Sequence, residues 1–187
     1  MSRMSVLTAS AALAAWTVHS TVLTRRLRQA RTDDLTGLWR RDEFTRRSRH
    51  LLPTATVLLL DLDEFKHIND TLGHEVGDTL LAVTADRLRT ALPDAVCGRL
   101  GGDEFVATTP HPAGLSALET ELSRPVLHQH GVTTPGVSIG AAAGPHRDLS
   151  EALSRADAAM YAAKDGSGST MFDQHDRAHG RLRHLTA

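Results

Sequence analysis

The chain has 187 residues, 41% of them apolar, and a formal net charge of −1. That length suits one domain with a short appendage, and the apolar share can fill one sizeable core, which excludes wholesale disorder. The near-neutral charge argues against binding a nucleic-acid polymer by bulk charge. The single cysteine, Cys97, excludes an internal disulfide framework and a cysteine-based zinc site.

Residues 6–23, "VLTASAALAAWTVHSTVL", carry no formal charge and precede the basic run "RRLRQAR". Eighteen helical residues would span about 27 Å, slightly under a bilayer's hydrocarbon thickness. Polar side chains such as Thr8, Ser10, Thr17 and His19 weaken a spanning reading. The segment reads as a membrane anchor with its C-terminal side cytoplasmic, as an alanine-rich stalk pairing through Leu7, Ala11, Ala14 and Val18, or as a signal peptide.

From Arg31 the pattern becomes globular. "DEFTRRSRHLL" reads as a short amphipathic helix, and "TATVLLLDLD" as a buried strand ending in Asp61 and Asp63. "GHEVGDTLLAVTADRLRTAL" places Val76, Leu80 and Leu88 on one helical face and stops before Pro93. "AVCGRL" and "FVATT" are strands joined by "GGDE", a hairpin signal. "AGLSALETELS" is a further helix, "GVSIGAAAG" a strand, and "LSEALSRADAAMYAAKDG" a last helix ended by Gly166 or Gly168. The polar tail 173–187 is expected to fray. The class is therefore α/β, with a mixed sheet that includes an antiparallel hairpin and is flanked by helices.

Asp61 at a strand end can meet Asp103 and Glu104 in a neighbouring hairpin along one sheet edge. Clustered carboxylates repel unless a cation lies between them, so the cluster predicts a hard divalent ion with oxygen ligands. Mg²⁺ takes few protein carboxylates and fills its shell with water and phosphate oxygens, which points to phosphoryl or nucleotidyl transfer. Lys66 and Lys164 are the only lysines among 21 basic residues, and both could face phosphates. Taken alone, "GGDE" reads more readily as a solvated turn than as a metal site. The P-loop pattern GxxxxGK[ST] is absent.

Beyond local spacing, "RLGGDEF" (residues 99–105) resembles the signature of the GGDEF family of diguanylate cyclases. "TDDLTGLWRRDEF" is similar to that family's D-x-L-T-G-L segment, and "LLLDLDEFKHINDTLGHEVGDTLL" to its D-x-D-x-F-K-x-I-N-D-x-x-G-H-x-x-G-D stretch. "VSIGAA" and "ADAAMYAAKDG" resemble its S-x-G strand and D-x-A-x-Y-x-A-K helix, so the likeness runs in order over residues 31–172. The resemblance implies a palm-like, ferredoxin-like domain of the nucleotide-cyclase type, preceded by residues 1–30 as anchor or stalk. It implies condensation of two GTP into cyclic di-GMP and two pyrophosphates at a homodimer interface. Two Mg²⁺ ions per site, or Mn²⁺, are the implied cofactors.

Carried over by position, the resemblance makes Asp61, Asp103 and the Leu62 carbonyl metal ligands. Glu104 would add charge at the metal or assist deprotonation of the attacking hydroxyl. Asn69 and Asp78 would bind the guanine edge. Phe65 and Lys66 would lie along the phosphates, with Lys66 and Arg99 neutralising transition-state charge. His74 would face the nucleotide, and Lys164 would grip the terminal phosphates. Three positions depart from the pattern: Arg40 replaces an Asn, Gly168 stands where an Arg is frequent, and "LPDA" (92–95) lacks the R-x-x-D of a product-inhibition site. Product inhibition through that site is thus expected to be absent. The competing expectation is a catalytically silent module that binds GTP or cyclic di-GMP.

Overall fold

Along Thr56–Leu62 (β2) every side chain is apolar except Thr56 and Asp61, and all but Asp61 are buried. A strand apolar on both faces has to sit inside a sheet with both faces covered. The computed structural model describes residues 31–110, 114–166, 170–172 and 183–184, together with 16, 17 and 19, with side chains up to residue 162. In it β2 pairs antiparallel with Glu104–Thr109 (β4) on one side and with Val137–Ala142 (β7) on the other. Val96–Gly101 (β3) pairs antiparallel with β4, and Trp39–Arg40 (β1) runs parallel to β3 at the edge. On the opposite edge Thr170–Phe172 (β8) runs parallel to β7, and Arg183–His184 (β9) pairs antiparallel with β8.

The order β1-β3-β4-β2-β7-β8-β9 makes a mixed, seven-stranded sheet among the described residues. Its middle four strands follow the ferredoxin-like order that the resemblance implies. Of the tail expected to fray, Arg183–His184 pair at the sheet edge, and its other residues lie outside the described residues. A separate two-stranded sheet, Val126–His128 (β5) with Gly131–Thr133 (β6), stands apart. Residues 6–23, apart from Trp16, Thr17 and His19, lie outside the described residues. Among the described residues no helix is long and apolar enough to cross a membrane.

Helices cover both faces. Leu81, Ala85 and Leu88 of His74–Ala91 (α3) and Leu115, Leu118 and Leu122 of Leu115–Leu122 (α4) pack over Leu58, Leu60, Leu62, Phe105 and Ile139. On the other face, Phe44 of Arg41–Ser48 (α1) and Leu149 and Ala152 of Leu149–Gly166 (α5) pack on Val57 and Val106. The sequence reading gave no separate helix between Asp63 and Gly73, where the structure has Phe65–Leu72 (α2). None of its residues is fully buried, but Phe65, Ile68 and Leu72 form a partly buried apolar stripe that the sequence reading passed over. The strands β1, β5 and β6, with two or three residues each, are too short for a readable alternation.

Gly140 explains the glycine of the S-x-G strand. A Cβ there would stand 2.6 Å from Met160 Cβ and nearer still to the Ala156 carbonyl, so α5 lies directly on the β7 backbone. Glycine inside a strand marks such an approach. Gly140→Ala should destabilise the domain by ~3 kcal/mol, the upper end for overpacking, because backbone cannot yield as a side chain can; urea unfolding measures it.

Beneath the start of α5, buried His146 accepts a hydrogen bond at its Nδ1 from the buried Arg155 guanidinium at 3.1 Å. Arginine can only donate, so the neutral ring carries its proton on Nε2. Burial, and then the Arg155 charge, holds the His146 pKa below its ordinary 6.5. As pH falls the unfolded chain therefore takes up this proton before the folded one. Melting temperature should be flat above about pH 7.5 and decline as pH falls through 6.5, and His146→Asn should remove that part of the slope.

Candidate active site

The β2–β4 register sets Asp61 opposite Glu104 on one side, and the β2–β7 register sets it opposite Ser138 on the other. Glu104 opens β4 and pairs with Gly101 across a two-residue turn made by Gly102 and Asp103. Gly102 has φ +52° and Gly101 φ +152°, values that L side chains rarely adopt. Nothing lies within 4 Å of a Cβ at either, so backbone conformation rather than crowding demands the glycines. A register shift between Arg99 and Gly101 bends the strand just before the turn. The outcome is a tight, bulged hairpin that carries Asp103 at its tip and Glu104 at its base. Asp61 and Asp103 are half-buried, and Glu104 is exposed.

Leu62 turns its side chain into the core, so only its backbone can serve a ligand. Asp63, on the same strand face as Asp61, accepts a hydrogen bond from Ser138 Oγ at 2.7 Å, and its own N–H donates to the Gly136 carbonyl at 2.9 Å. The two acids are thus divided: Asp63, just past the strand end, fastens β2 to β7 and to the residue before it, and Asp61 stands in the ladder opposite Glu104.

Arg99 is bonded to the turn and to the loop beside it. Its Nε and Nη2 donate to the Gly102 carbonyl at 2.9 and 2.6 Å, and its Nη1 pairs with Asp33 Oδ1 at 2.9 Å. Asp33 also accepts from Thr36 N–H at 2.9 Å and from Thr36 Oγ1 at 2.7 Å. Residues of the D-x-L-T-G-L segment therefore fold into a loop whose acid grips the arginine that holds the turn. Sequence reasoning quoted that segment but missed the role of Asp33, since the two partners lie 66 residues apart. Arg40, standing in place of the family's Asn, closes the same loop by donating to the Thr32 carbonyl at 2.7 Å.

On the other side of β2, Glu64 is the one described non-glycine residue with positive φ, at 55°. It turns the chain from strand into α2, whose first N–H groups have no partner within the helix. Phe65 packs against the main core, while Lys66 is exposed. A Cβ at Gly77 would lie 3.0 Å from Asn69 Cγ and 3.1 Å from Phe65 Cζ, and closer still to Asn69 Oδ1. Gly77 thereby lets α2 press onto α3 and sets the Asn69 amide against the residue just before Asp78. Asp78 and His74 are exposed.

Lys164 belongs to the last turn of α5, but its side chain and Gly168 lie outside the described residues. Leu92, the first residue of the "LPDA" stretch, is buried in the core. Among the described residues no three histidine, cysteine or acidic side chains form a group that could hold a metal ion.

Burial alone would raise the Asp33 pKa, but hydrogen bonds from Thr36 and Arg99 outweigh it and hold the carboxyl below its ordinary 3.8. Its stabilising contribution is complete above 3.8 and is lost as pH falls through the lower folded value. At neutral pH, Arg99→Ala should leave the fold standing but raise amide hydrogen exchange at Gly101–Glu104 about ten-fold, with β2 unaffected.

Residues 30–170 match the family described as "Diguanylate cyclase, GGDEF domain". The chain is 45% identical over 164 residues to a 19.3 kDa protein of the repSA 5′ region in Streptomyces ambofaciens, covering 83% of this chain and 90% of that protein. It is 40% identical over 154 residues to the diguanylate cyclase TpbB of Pseudomonas aeruginosa, covering 73% of this chain but only 35% of TpbB. The crystal structure of the coiled coil and GGDEF domain of DgcB from Caulobacter crescentus, in complex with c-di-GMP, matches with a TM-score of 0.71 at 29% identity, over 92% of this chain and 100% of that one. With its signature hairpin, its acid-ended central strand and this match over most of its length, the chain belongs to the GGDEF diguanylate cyclase family.

Proposed function

We propose that this protein condenses two molecules of GTP into cyclic di-GMP and two pyrophosphates, each nucleotide held by one copy of a homodimer. The observation that carries this reading is the β2–β4 register, which sets Asp61 opposite Glu104 with Asp103 on the adjoining turn. The first N–H groups of α2 and the Lys66 ammonium take the triphosphate. Asn69 and Asp78 bind the guanine edge, with Phe65 beneath and His74 beside the nucleotide. Lys164, at the end of α5, grips the terminal phosphates.

The donor set is oxygen only and supplies few carboxylates, which suits Mg²⁺ or Mn²⁺ completed by phosphate and water oxygens. Bound by Asp61, Asp103 and the Leu62 carbonyl, such ions would neutralise phosphate charge and favour ionisation of the attacking hydroxyl. Glu104, exposed beside them, takes the proton of the 3′-hydroxyl directly or through water. The new bond forms between that oxygen and the partner nucleotide's α-phosphorus, while the bond from that phosphorus to pyrophosphate breaks. Arg99 acts through the hairpin, holding Asp103 in place.

One copy supplies only one nucleotide, so the rate depends on bringing two copies face to face. Residues 1–30 serve that encounter, as a stalk or by confinement to a membrane. The coiled coil of the DgcB structure favours the stalk. The catalytic domain then works on the cytoplasmic side, where GTP is available.

Purified protein with GTP and Mg²⁺ should yield cyclic di-GMP, and chelation should stop it. Asp103→Asn should lower turnover by about 10²–10³-fold with an unchanged melting temperature. Tight GTP binding with no product at any protein concentration would instead identify a silent binding module.

A further inference from the structure

The β5–β6 hairpin carries none of the motif residues and lies outside the main sheet. Its root residue, Val126, is buried against Val76 and Leu80 of α3, in a cluster that also takes in Ile68 and Leu72 of α2. Arg87 of α3 donates to the carbonyls of Leu122, Arg124 and Pro125 at 3.1, 2.6 and 2.9 Å, fixing the chain as it enters β5. The hairpin thus rests on the two helices that carry Phe65, Lys66, Asn69, His74 and Asp78.

Its tip is ordered by its own bonds. His128 Nδ1 accepts from the His130 backbone N–H at 3.3 Å, which leaves the ring proton of the neutral side chain on Nε2 to donate to Thr133 Oγ1 at 2.8 Å. Between these histidines, Gln129 donates its side-chain amide to Glu75 Oε2 at 2.5 Å. Glu75 stands three residues before Asp78, so the two share a helix face. This first turn of α3 needs outside support. Its N-cap is Gly73, at φ +89°, and it has no side-chain capping bond.

We infer that Gln129 is a positioning residue for guanine recognition: by tying the hairpin to Glu75 it holds the first turn of α3, and with it the spacing of Asp78 and Asn69. The inference rests on the reading of Asn69 and Asp78 as the guanine-binding pair. Gln129 touches no reacting atom in this scheme. Its loss should therefore show in base-dependent affinity and leave the chemical step intact.

The test uses the full chain, with calorimetric titration of α,β-methylene analogues of GTP and ATP alongside steady-state kinetics. Gln129→Ala should weaken binding of the GTP analogue roughly five-fold, the scale of one hydrogen bond to a charged group near the surface. Binding of the ATP analogue, held through its phosphates, should change less than two-fold. KM for GTP should rise in step with the binding loss while kcat stays within two-fold. Glu75→Ala should reproduce the effect, and the double variant should add nothing to it. Val132→Thr, on the same hairpin but exposed and away from Glu75, should bind like the parent.

Unchanged GTP-analogue affinity in both single variants would overturn the inference. So would equal losses for both analogues, or a matching loss in Val132→Thr, since each marks a general loosening. A parent protein that binds neither analogue would overturn the nucleotide reading itself, and this inference with it.

Discussion

The ladder between β2 and β4 starts with Thr56 opposite Thr109 and ends with Asp61 opposite Glu104. A slip of one residue would exchange the two faces of β2, and both faces are packed: Leu58, Leu60 and Leu62 under α3 and α4, Val57 and Leu59 under α1 and α5. Hydrophobic burial on both sides therefore locks the register, and the register sets Asp61 opposite Glu104. An acid at the end of a doubly buried strand gains its placement from the apolar residues beside it.

The hairpin beyond that ladder depends on polar bonds instead. Its glycines permit the turn, but permissive backbone alone would leave the tip mobile. Arg99 supplies the missing constraint by donating twice to the Gly102 carbonyl while Asp33 holds its far end. Both partners are largely withdrawn from water, with 14% and 19% of the side chain exposed, so the pair is screened less than a surface ion pair. This contact ties the loop that contains Asp33 to the acidic turn.

The side formed by α2 and α3 is built on a different principle. The helix α2 buries no residue fully and is held by Phe65 on the main core, by close approach at Gly77 and by the satellite cluster around Val126. The β5–β6 hairpin belongs to this second layer, since its packing and the Gln129–Glu75 bond both fall on α2 and α3.

Much of this was legible in the chain itself. Periodicity located β2, α3, α4, β7 and α5, because each is long enough to show which face is apolar, and the motif residues along them placed the family. Residues whose partners are distant in sequence were not legible. Asp33 with Arg99, Asp63 with Ser138 and Gln129 with Glu75 are separated by 66, 75 and 54 residues, and no local pattern announces such pairs. Arg99 shows the difference most clearly: its place in the motif gives no hint that the folded chain bonds it to the turn and to Asp33. Local chemistry and spacing sufficed to single out the strand-end and hairpin acids, the turn glycines and the two lysines as candidates. Where the acids stand was decided by burial on both faces of one strand and by the long-range bonds that burial brings within reach.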